Sequence, residues 1–308
     1  MRLPSIILLS AFFISIAYSS TLTAKGRGLA SVGLSTPACL FAKKMEVHGH
    51  RGMNGYPDNT LQSFKAAVTA GVDAIELDLQ VTKDKVVIVG HDAIPNVGTD
   101  RCGVDGKSLQ KAALFDLNYS DVSKIRCGIK EYTEKNLQPF PKLSEVLEAF
   151  KHVKASSGKP LRLNIEVKYF KDQAQYYPPE SEYIDLILQV LRESGWNQDR
   201  YFVQSFNHDF LKSFKSKVSD IEIVPLVGDA RNAEKAALDL GAKMANPGFW
   251  QVTPELIFNL HKKNIKAIVW TPNLESEIHH VIESGADGII TDFPERFYKV
   301  REELCELY

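Results

Sequence analysis

From Glu46 onward the chain alternates short apolar runs with longer amphipathic ones, eight times in succession, and no other feature restricts its fold so strongly. The strand-like runs are Glu46–His50, Val72–Leu79, Leu161–Lys168, Tyr201–Ser205, Ile221–Val227, Lys243–Asn246, Ile265–Thr271 and Gly288–Thr291. Helical periodicity follows each of them, at Thr60–Ala70, Leu143–Ala155, Glu182–Ser194, His208–Lys217, Ala233–Leu240, Pro254–Lys262, Leu274–Glu283 and from Glu295 onward. Eight consecutive strand–helix units point to an α/β fold, the TIM (β/α)8 barrel. Several strands are apolar throughout, as parallel strands covered on both faces are. A ninth run, Val86–Gly90, follows too closely on Leu79–Val81 for a parallel crossover and reads as a hairpin extending the second strand. The stretch from about 93 to 141 shows no clear period and reads as an insertion over the barrel mouth, after the second strand and its hairpin. Asn59 and Gln62 stand at capping-box spacing before the first helix, and Gly71 closes it.

A chain of 308 residues is a suitable length for one such barrel, here residues 45–308. A formal net charge of −1 lends no support to a nucleic-acid partner held by bulk electrostatics. At the N-terminus, Arg2 precedes an apolar run from Ile6 to Ala17 and a small-residue stretch from Ser19 to Ala24. This is the pattern of a signal peptide over residues 1–24, with no stable membrane span expected after cleavage; a retained anchor is the alternative. Residues 25–44 read as a linker or pro-segment. The signal pattern makes a secreted or periplasmic destination the expectation, and the absence of Asp or Glu before Glu46 leaves delivery to an organelle open. Among the four cysteines, Cys102 and Cys127 are the expected pair in an oxidising compartment, against the alternative of four free thiols.

Chemistry in such a barrel gathers at the C-terminal strand ends. There the chain places Gly49-His50-Arg51-Gly52, Glu76-Leu77-Asp78, His91-Asp92 and Glu166-Val167-Lys168. Glu76 and Asp78, two apart on a strand, share a face, and Glu166 sits in the same situation one barrel strand along. Three converging carboxylates repel one another unless a cation intervenes, and an all-oxygen set suits Ca²⁺ or Mg²⁺. His50 and His91 flank that position and can serve as a general acid/base pair. His48 reads as structural, and His152, His208, His261, His279 and His280 fall on helices or loops.

The ordered segments Gly49-His50-Arg51-Gly52, Pro57-Asp58-Asn59-Thr60, Glu76-Leu77-Asp78, His91-Asp92 and Glu166-Val167-Lys168 resemble the glycerophosphodiester phosphodiesterase family. So do Gln204-Ser205-Phe206, Trp270-Thr271-Pro272-Asn273 and the run from Ala286 to Asp292. The resemblance spans about residues 46 to 295 and implies a TIM barrel with an inserted segment. It implies one divalent metal on Glu76, Asp78 and Glu166, an acid/base pair in His50 and His91, phosphate contacts from Arg51 and Lys168, and a pocket wall at Trp270. The chain departs from the family pattern at Asp58, where Glu is usual and to which no contact is therefore assigned, and at Pro272, where Val is common. The implied reaction is hydrolysis of a small glycerophosphodiester to sn-glycerol 3-phosphate and an alcohol. Lysophospholipase D or sphingomyelinase D-like action on a lipid is the alternative, depending on whether the insertion, with Leu114, Phe115, Leu117, Tyr119, Tyr132 and Phe140, leaves an apolar mouth. A binding protein that has lost its chemistry is the non-enzymatic alternative. Composition is silent on oligomeric state.

Overall fold

The computed structural model describes residues 37–95, 101–104, 107–108, 112–128 and 137–306. The expected signal peptide, most of the 25–44 segment and Tyr132 lie outside the described residues. The chain runs α1 (Pro37–Lys44), β1 (Glu46–Gly49), α2 (Leu61–Ala70), β2 (Ala74–Val81), β3 (Val87–Val89), β4 (Arg101–Val104), β5 (Lys107–Ser108), α3 (Tyr119–Val122), β6 (Arg126–Gly128) and β7 (Gln138–Pro139). It continues with α4 (Leu143–Phe150), β8 (Arg162–Val167), α5 (Glu180–Ser194), β9 (Tyr201–Ser205), α6 (His208–Lys217), β10 (Glu222–Val227) and α7 (Ala233–Leu240). The remaining elements are β11 (Met244–Pro247), α8 (Pro254–Lys262), β12 (Lys266–Trp270), α9 (Glu275–Ser284), β13 (Gly288–Thr291) and α10 (Pro294–Glu306).

Strands β1, β2 and β8 to β13 form a parallel sheet that closes where β1 pairs with both β13 and β2. The eight-unit barrel read from the sequence is therefore present. The β3 strand pairs antiparallel with β2, Leu79 opposite Val89, as the short connection requires.

Strand alternation divides the interior into two layers. On β2, Ile75, Leu77, Leu79 and Val81 enter the apolar layer beneath the helices, while Glu76, Asp78 and Gln80 take the other face and are also buried. The barrel interior is itself split. Phe202, Val224, Met244, Ile268 and Ile290 fill one half with hydrocarbon. His48, Glu76, Asp78, Asn164 and Glu166, from β1, β2 and β8, make the other half polar. Buried polar groups must find partners or a cation, so this asymmetry marks where the chemistry sits.

Three local expectations are corrected. Helix α2, the first of the barrel, is capped by Thr60, whose side chain accepts from the Ser63 N–H, whereas Asn59 turns inward to Asp78. The fourth helix ends at Phe150 rather than Ala155; the chain then pairs Lys154 with Pro160 in an antiparallel bridge. The insertion is not irregular throughout: β4 to β7 form an antiparallel sheet, order β5-β4-β6-β7. Ile88, Cys102, Leu114, Val122, Ile125, Cys127 and Phe140 pack as its own small core, seated against the β2–β3 hairpin. Its strands are only two to four residues long, too short to show a period in the sequence.

Cysteines 102 and 127 are paired, facing each other across β4 and β6. A second bridge joins Cys39 on α1 to Cys305 on α10, with 5.1 Å between Cα atoms. Residues 37–44, read as linker or pro-segment, are thus helical and tied to the last helix, with Cys39 and Ala42 buried. Closing a loop of 266 residues restricts the denatured chain by roughly 5 kcal/mol in the chain-entropy model, an upper bound. The double variant Cys39→Ser/Cys305→Ser should melt up to ~10 °C lower than wild type. Its kcat should be retained, since the bridge lies before β1 and on α10, away from the strand ends that carry the polar cluster. An unchanged melting temperature would show the bridge contributes nothing.

Candidate active site

The polar cluster begins at the turn after β1. Arg51 has φ +51° and Gly52 φ +101°. A Cβ on Gly52 would lie 2.0 Å from Ser63 Oγ, so both the backbone angle and the approach of α2 require glycine. This turn aims the Arg51 N–H at Glu76, donating to Oε2 at 2.9 Å. The His50 N–H donates to Thr291 O at 3.0 Å, across the seam where the barrel closes. There His50 Nδ1 meets Asp292 Oδ1 at 2.6 Å. Asn273 braces Asp292, donating through Nδ2 to Oδ2 at 2.5 Å and accepting its N–H at 3.0 Å. Burial works against the Asp292 carboxylate, but the hydrogen bonds from His50 and Asn273 and the charge on His50 hold it below the usual range.

Glu76, Asp78 and Glu166 are at most 6% exposed, and each offers an oxygen within 4.8 Å of the others. The parallel register sets Asp78 directly beside Glu166, and Glu166 beside Gln204. Asn59 clamps Asp78 twice, Nδ2 donating to Oδ2 at 2.8 Å and Oδ1 accepting the Asp78 N–H at 3.1 Å. Gln204 Nε2 donates to Glu76 Oε1 at 3.3 Å. Lys168 Nζ lies between Glu166 Oε1, in close contact, and Asp78 Oδ1 at 3.1 Å. Arg51 Nε is 3.3 Å from Asp78 Oδ2, and its Nη1 is 3.7 Å from Asp58, which therefore has the contact not assigned to it from sequence.

Burial and the charges of Asp78 and Glu166 push Glu76 well above the carboxylate range. Burial and Asp78 also raise Glu166, although Lys168 opposes them. For Asp78, burial is outweighed by Lys168 and Arg51, which hold it ionised. Burial disfavours the Lys168 ammonium, but Asp78 and Glu166 more than compensate and raise it. Ionising all three carboxylates against two fixed cations would leave one negative charge uncompensated, which, on top of burial, is why Glu76 is pushed up. Asp78 Oδ1, fully buried, has the Lys168 ion pair but no well-directed hydrogen bond. An all-oxygen set with an excess negative charge when fully ionised and an under-satisfied oxygen fits a hard divalent ion.

His91 follows the hairpin, its carbonyl accepting from Gln80 Nε2 at 2.8 Å and its Nδ1 2.8 Å from Asp92 Oδ1. Both histidines thus carry a carboxylate at Nδ1, which favours the proton there in the neutral ring and leaves Nε2 as the free acceptor. Their side chains are 20% and 31% exposed, open enough to meet a substrate. Trp270 ends β12 and donates from Nε1 to Asn246 O at 2.8 Å. The Asn246 side-chain amide meets that of Gln204 at 2.7 Å, so Trp270, bonded to the Asn246 backbone, connects through that residue and Gln204 to Glu76.

The structure therefore brings Arg51, Glu76, Asp78, Glu166 and Lys168 into one contacting cluster, with His50, the residue before Arg51, held by Asp292. The charge of His91 is felt at Asp78 and Glu166, and Trp270 stands on the rim. Asp292, Asn273, Gln204 and Asp92 were not given roles from sequence, and Asn59 was given only that of a helix cap. Asp292 and Gln204 lie at strand ends, the same signal that singled out the others. Of the remaining histidines, His48 is buried between Glu46 and Asn164, and His208, His261 and His280 contact Leu226 O, Asp287 and Val252 O.

Comparison with known proteins bears on this arrangement. A family model described as the glycerophosphoryl diester phosphodiesterase family matches residues 50–296. A glycerophosphodiester phosphodiesterase of Bacillus altitudinis is 31% identical over 84% of this chain and 99% of its own. One from Caldanaerobacter subterraneus is 30% identical over 82% of this chain and 96% of its own. Among solved structures, an Oleispira antarctica phosphodiesterase in complex with the product sn-glycerol-3-phosphate superposes with TM-score 0.69 at 22% identity, covering 84% of this chain and 98% of that one. At that identity the likeness speaks for the fold.

Proposed function

The chain belongs to the glycerophosphoryl diester phosphodiesterase family and is a phosphoric diester hydrolase; from that premise we propose how its residues divide the reaction. Glycerophosphodiesters are hydrolysed, and the products are sn-glycerol 3-phosphate and an alcohol. The observation that carries this reading is the buried carboxylate trio, flanked by two histidines that each have a carboxylate at Nδ1. Glu76, Asp78 and Glu166 would hold one Ca²⁺ or Mg²⁺, which when bound supplies positive charge to the phosphoryl oxygens.

Arg51 and Lys168 add fixed positive charge beside that position and orient the diester. One of His50 and His91 takes the proton from the attacking hydroxyl through Nε2. The other delivers a proton to the leaving oxygen as its bond to phosphorus breaks. The attacking group is either water or the substrate's own glycerol 2-hydroxyl; the second route passes through a cyclic phosphate that water then opens. Asp292 and Asp92 hold the two rings in orientation and favour the proton on Nδ1.

A water-soluble diester suits the structure better than a lipid. Leu114 and Phe140 of the insertion are consumed in its own core rather than presented as a groove. Among the described residues no helix is long and apolar enough to cross a membrane. The two disulfides and the N-terminal apolar run support an oxidising destination, secreted or periplasmic, or the lumen of an organelle.

The test is release of glycerol 3-phosphate from glycerophosphocholine by the purified protein, with Ca²⁺, with Mg²⁺ and with EDTA. Metal-dependent release that EDTA abolishes is expected. Release indifferent to chelation would remove the metal from the reading, and no release from any glycerophosphodiester would overturn the substrate class.

A further inference from the structure

Two large aromatic side chains stand exposed beside Trp270 on the rim of the barrel. Phe206, after β9, is 40% exposed and meets Trp270 edge to face, centroids 5.5 Å apart at 89°. Trp250, after β11, is 53% exposed and meets Trp270 in the same way at 5.1 Å and 89°. Trp250 folds back over Gly248, where an added Cβ would lie 2.6 Å from the indole, so this ring position depends on a glycine. Leaving such rings in water costs roughly 25 cal/mol for each Å² of apolar surface, and one of them needs a glycine to lie where it does.

The edge-to-face contacts engage part of these rings, but no side-chain cation does. Among the described residues seven other aromatic rings have a Lys or Arg placed over them. None of the three rim rings does. They are nonetheless joined to the reaction centre, since Trp270 Nε1 contacts Asn246, which contacts Gln204, which donates to Glu76. A group seated on the rings is thus held by the same framework that positions a carboxylate of the trio.

We propose that Phe206, Trp250 and Trp270 form a subsite for a quaternary ammonium group carried by the leaving alcohol, so that the preferred diester is a choline ester. This rests on the hydrolase reading above and specifies its substrate. The negative faces of indole and benzene rings attract a cation, tryptophan most strongly. A quaternary ammonium has no N–H to leave unpaired against hydrocarbon, whereas a primary ammonium brings three donors that the rings cannot satisfy. An acyl chain would gain apolar contact here but nothing from the ring quadrupoles.

The experiment compares kcat/KM for glycerophosphocholine with that for glycerophosphoglycerol, whose leaving alcohol carries no charge, in wild type and in Phe206→Leu, Trp250→Leu and the double variant. Leucine keeps apolar bulk and removes the aromatic face. The ratio of the two values should fall roughly tenfold in the double variant. An unchanged ratio, including an equal fall for both diesters, overturns the subsite. So does a loss confined to lysophosphatidylcholine, which would assign the rings to an acyl chain.

A second measurement does not depend on turnover. Choline should quench the tryptophan fluorescence of wild type saturably, its uncharged carbon isostere 3,3-dimethylbutan-1-ol should not, and Phe206→Leu, which keeps both rim tryptophans, should weaken the choline effect. Equal quenching by the two alcohols, or none by either, overturns the proposal. If wild type hydrolyses no diester, the hydrolase reading fails while this titration still decides what the rings bind.

Discussion

Replacing His50 or His91 with alanine is expected to lower kcat by ~10²–10⁴-fold, the usual contribution of a positioned proton-transfer group, while divalent-ion affinity is preserved. The expectation follows from where each ring is anchored. Neither histidine belongs to the carboxylate trio, and each is held from behind by an aspartate, His50 by Asp292 at 2.6 Å and His91 by Asp92 at 2.8 Å. Removing a ring therefore takes away a proton carrier and leaves the oxygen cage standing. Asp292→Asn is the informative companion. It preserves the shape and the Asn273 brace but no longer favours the proton on Nδ1 of His50, so kcat should fall to an intermediate level with KM little changed. Rates and metal titrations by calorimetry on the three variants check this. Wild-type kcat in both histidine variants would sink the acid/base assignment, and lost metal affinity would move the histidines into the metal site.

Glu76→Gln should produce two effects of opposite sign. Turnover should collapse because the metal is no longer held, yet the metal-free protein should become more stable than wild type. Burial and its two carboxylate neighbours push Glu76 well above its ordinary range. A carboxyl whose folded pKa lies above its unfolded value contributes stability that is fully present below the unfolded value and lost as pH rises through the folded one. Metal-free wild type should accordingly lose stability as pH climbs through the raised pKa of Glu76, and the glutamine variant should lack that slope. Adding Ca²⁺ or Mg²⁺ at a hundred times its dissociation constant should stabilise wild type by about 2.7 kcal/mol and leave the variant unmoved. Melting curves against pH, with EDTA and with metal, read all of this. A variant less stable than wild type without metal would show that the trio does not store repulsion.

Much of this protein is legible along the chain because the relevant physics is short-range. Strand and helix periods are set by neighbouring residues, and eight of them in order leave few folds available. That Glu76 and Asp78 share a face follows from alternation on one strand, and placing ionisable groups at strand ends locates the mouth. The β4 to β7 sheet escaped that reading because strands of two to four residues carry no period. Asn59 was misread for a related reason. Its spacing from Gln62 satisfies a local capping rule, but a buried carboxylate on another element competes for its amide and wins.

What only the tertiary structure decided are the contacts that barrel closure makes. His50 and Asp292 are 242 residues apart and meet because β1 pairs with β13. The Cys39–Cys305 bridge joins positions separated by 266 residues. The rim rings come from the C-terminal ends of three different strands and the turns after them. Lys168, placed by sequence beside the phosphate, is drawn under Glu166 and Asp78 by the charge those neighbours concentrate. The sequence by itself determined the barrel and the chemical kind of each strand-end group. Which of those groups touch depended on the register of the closed sheet, a property of all eight strands together and of no local segment.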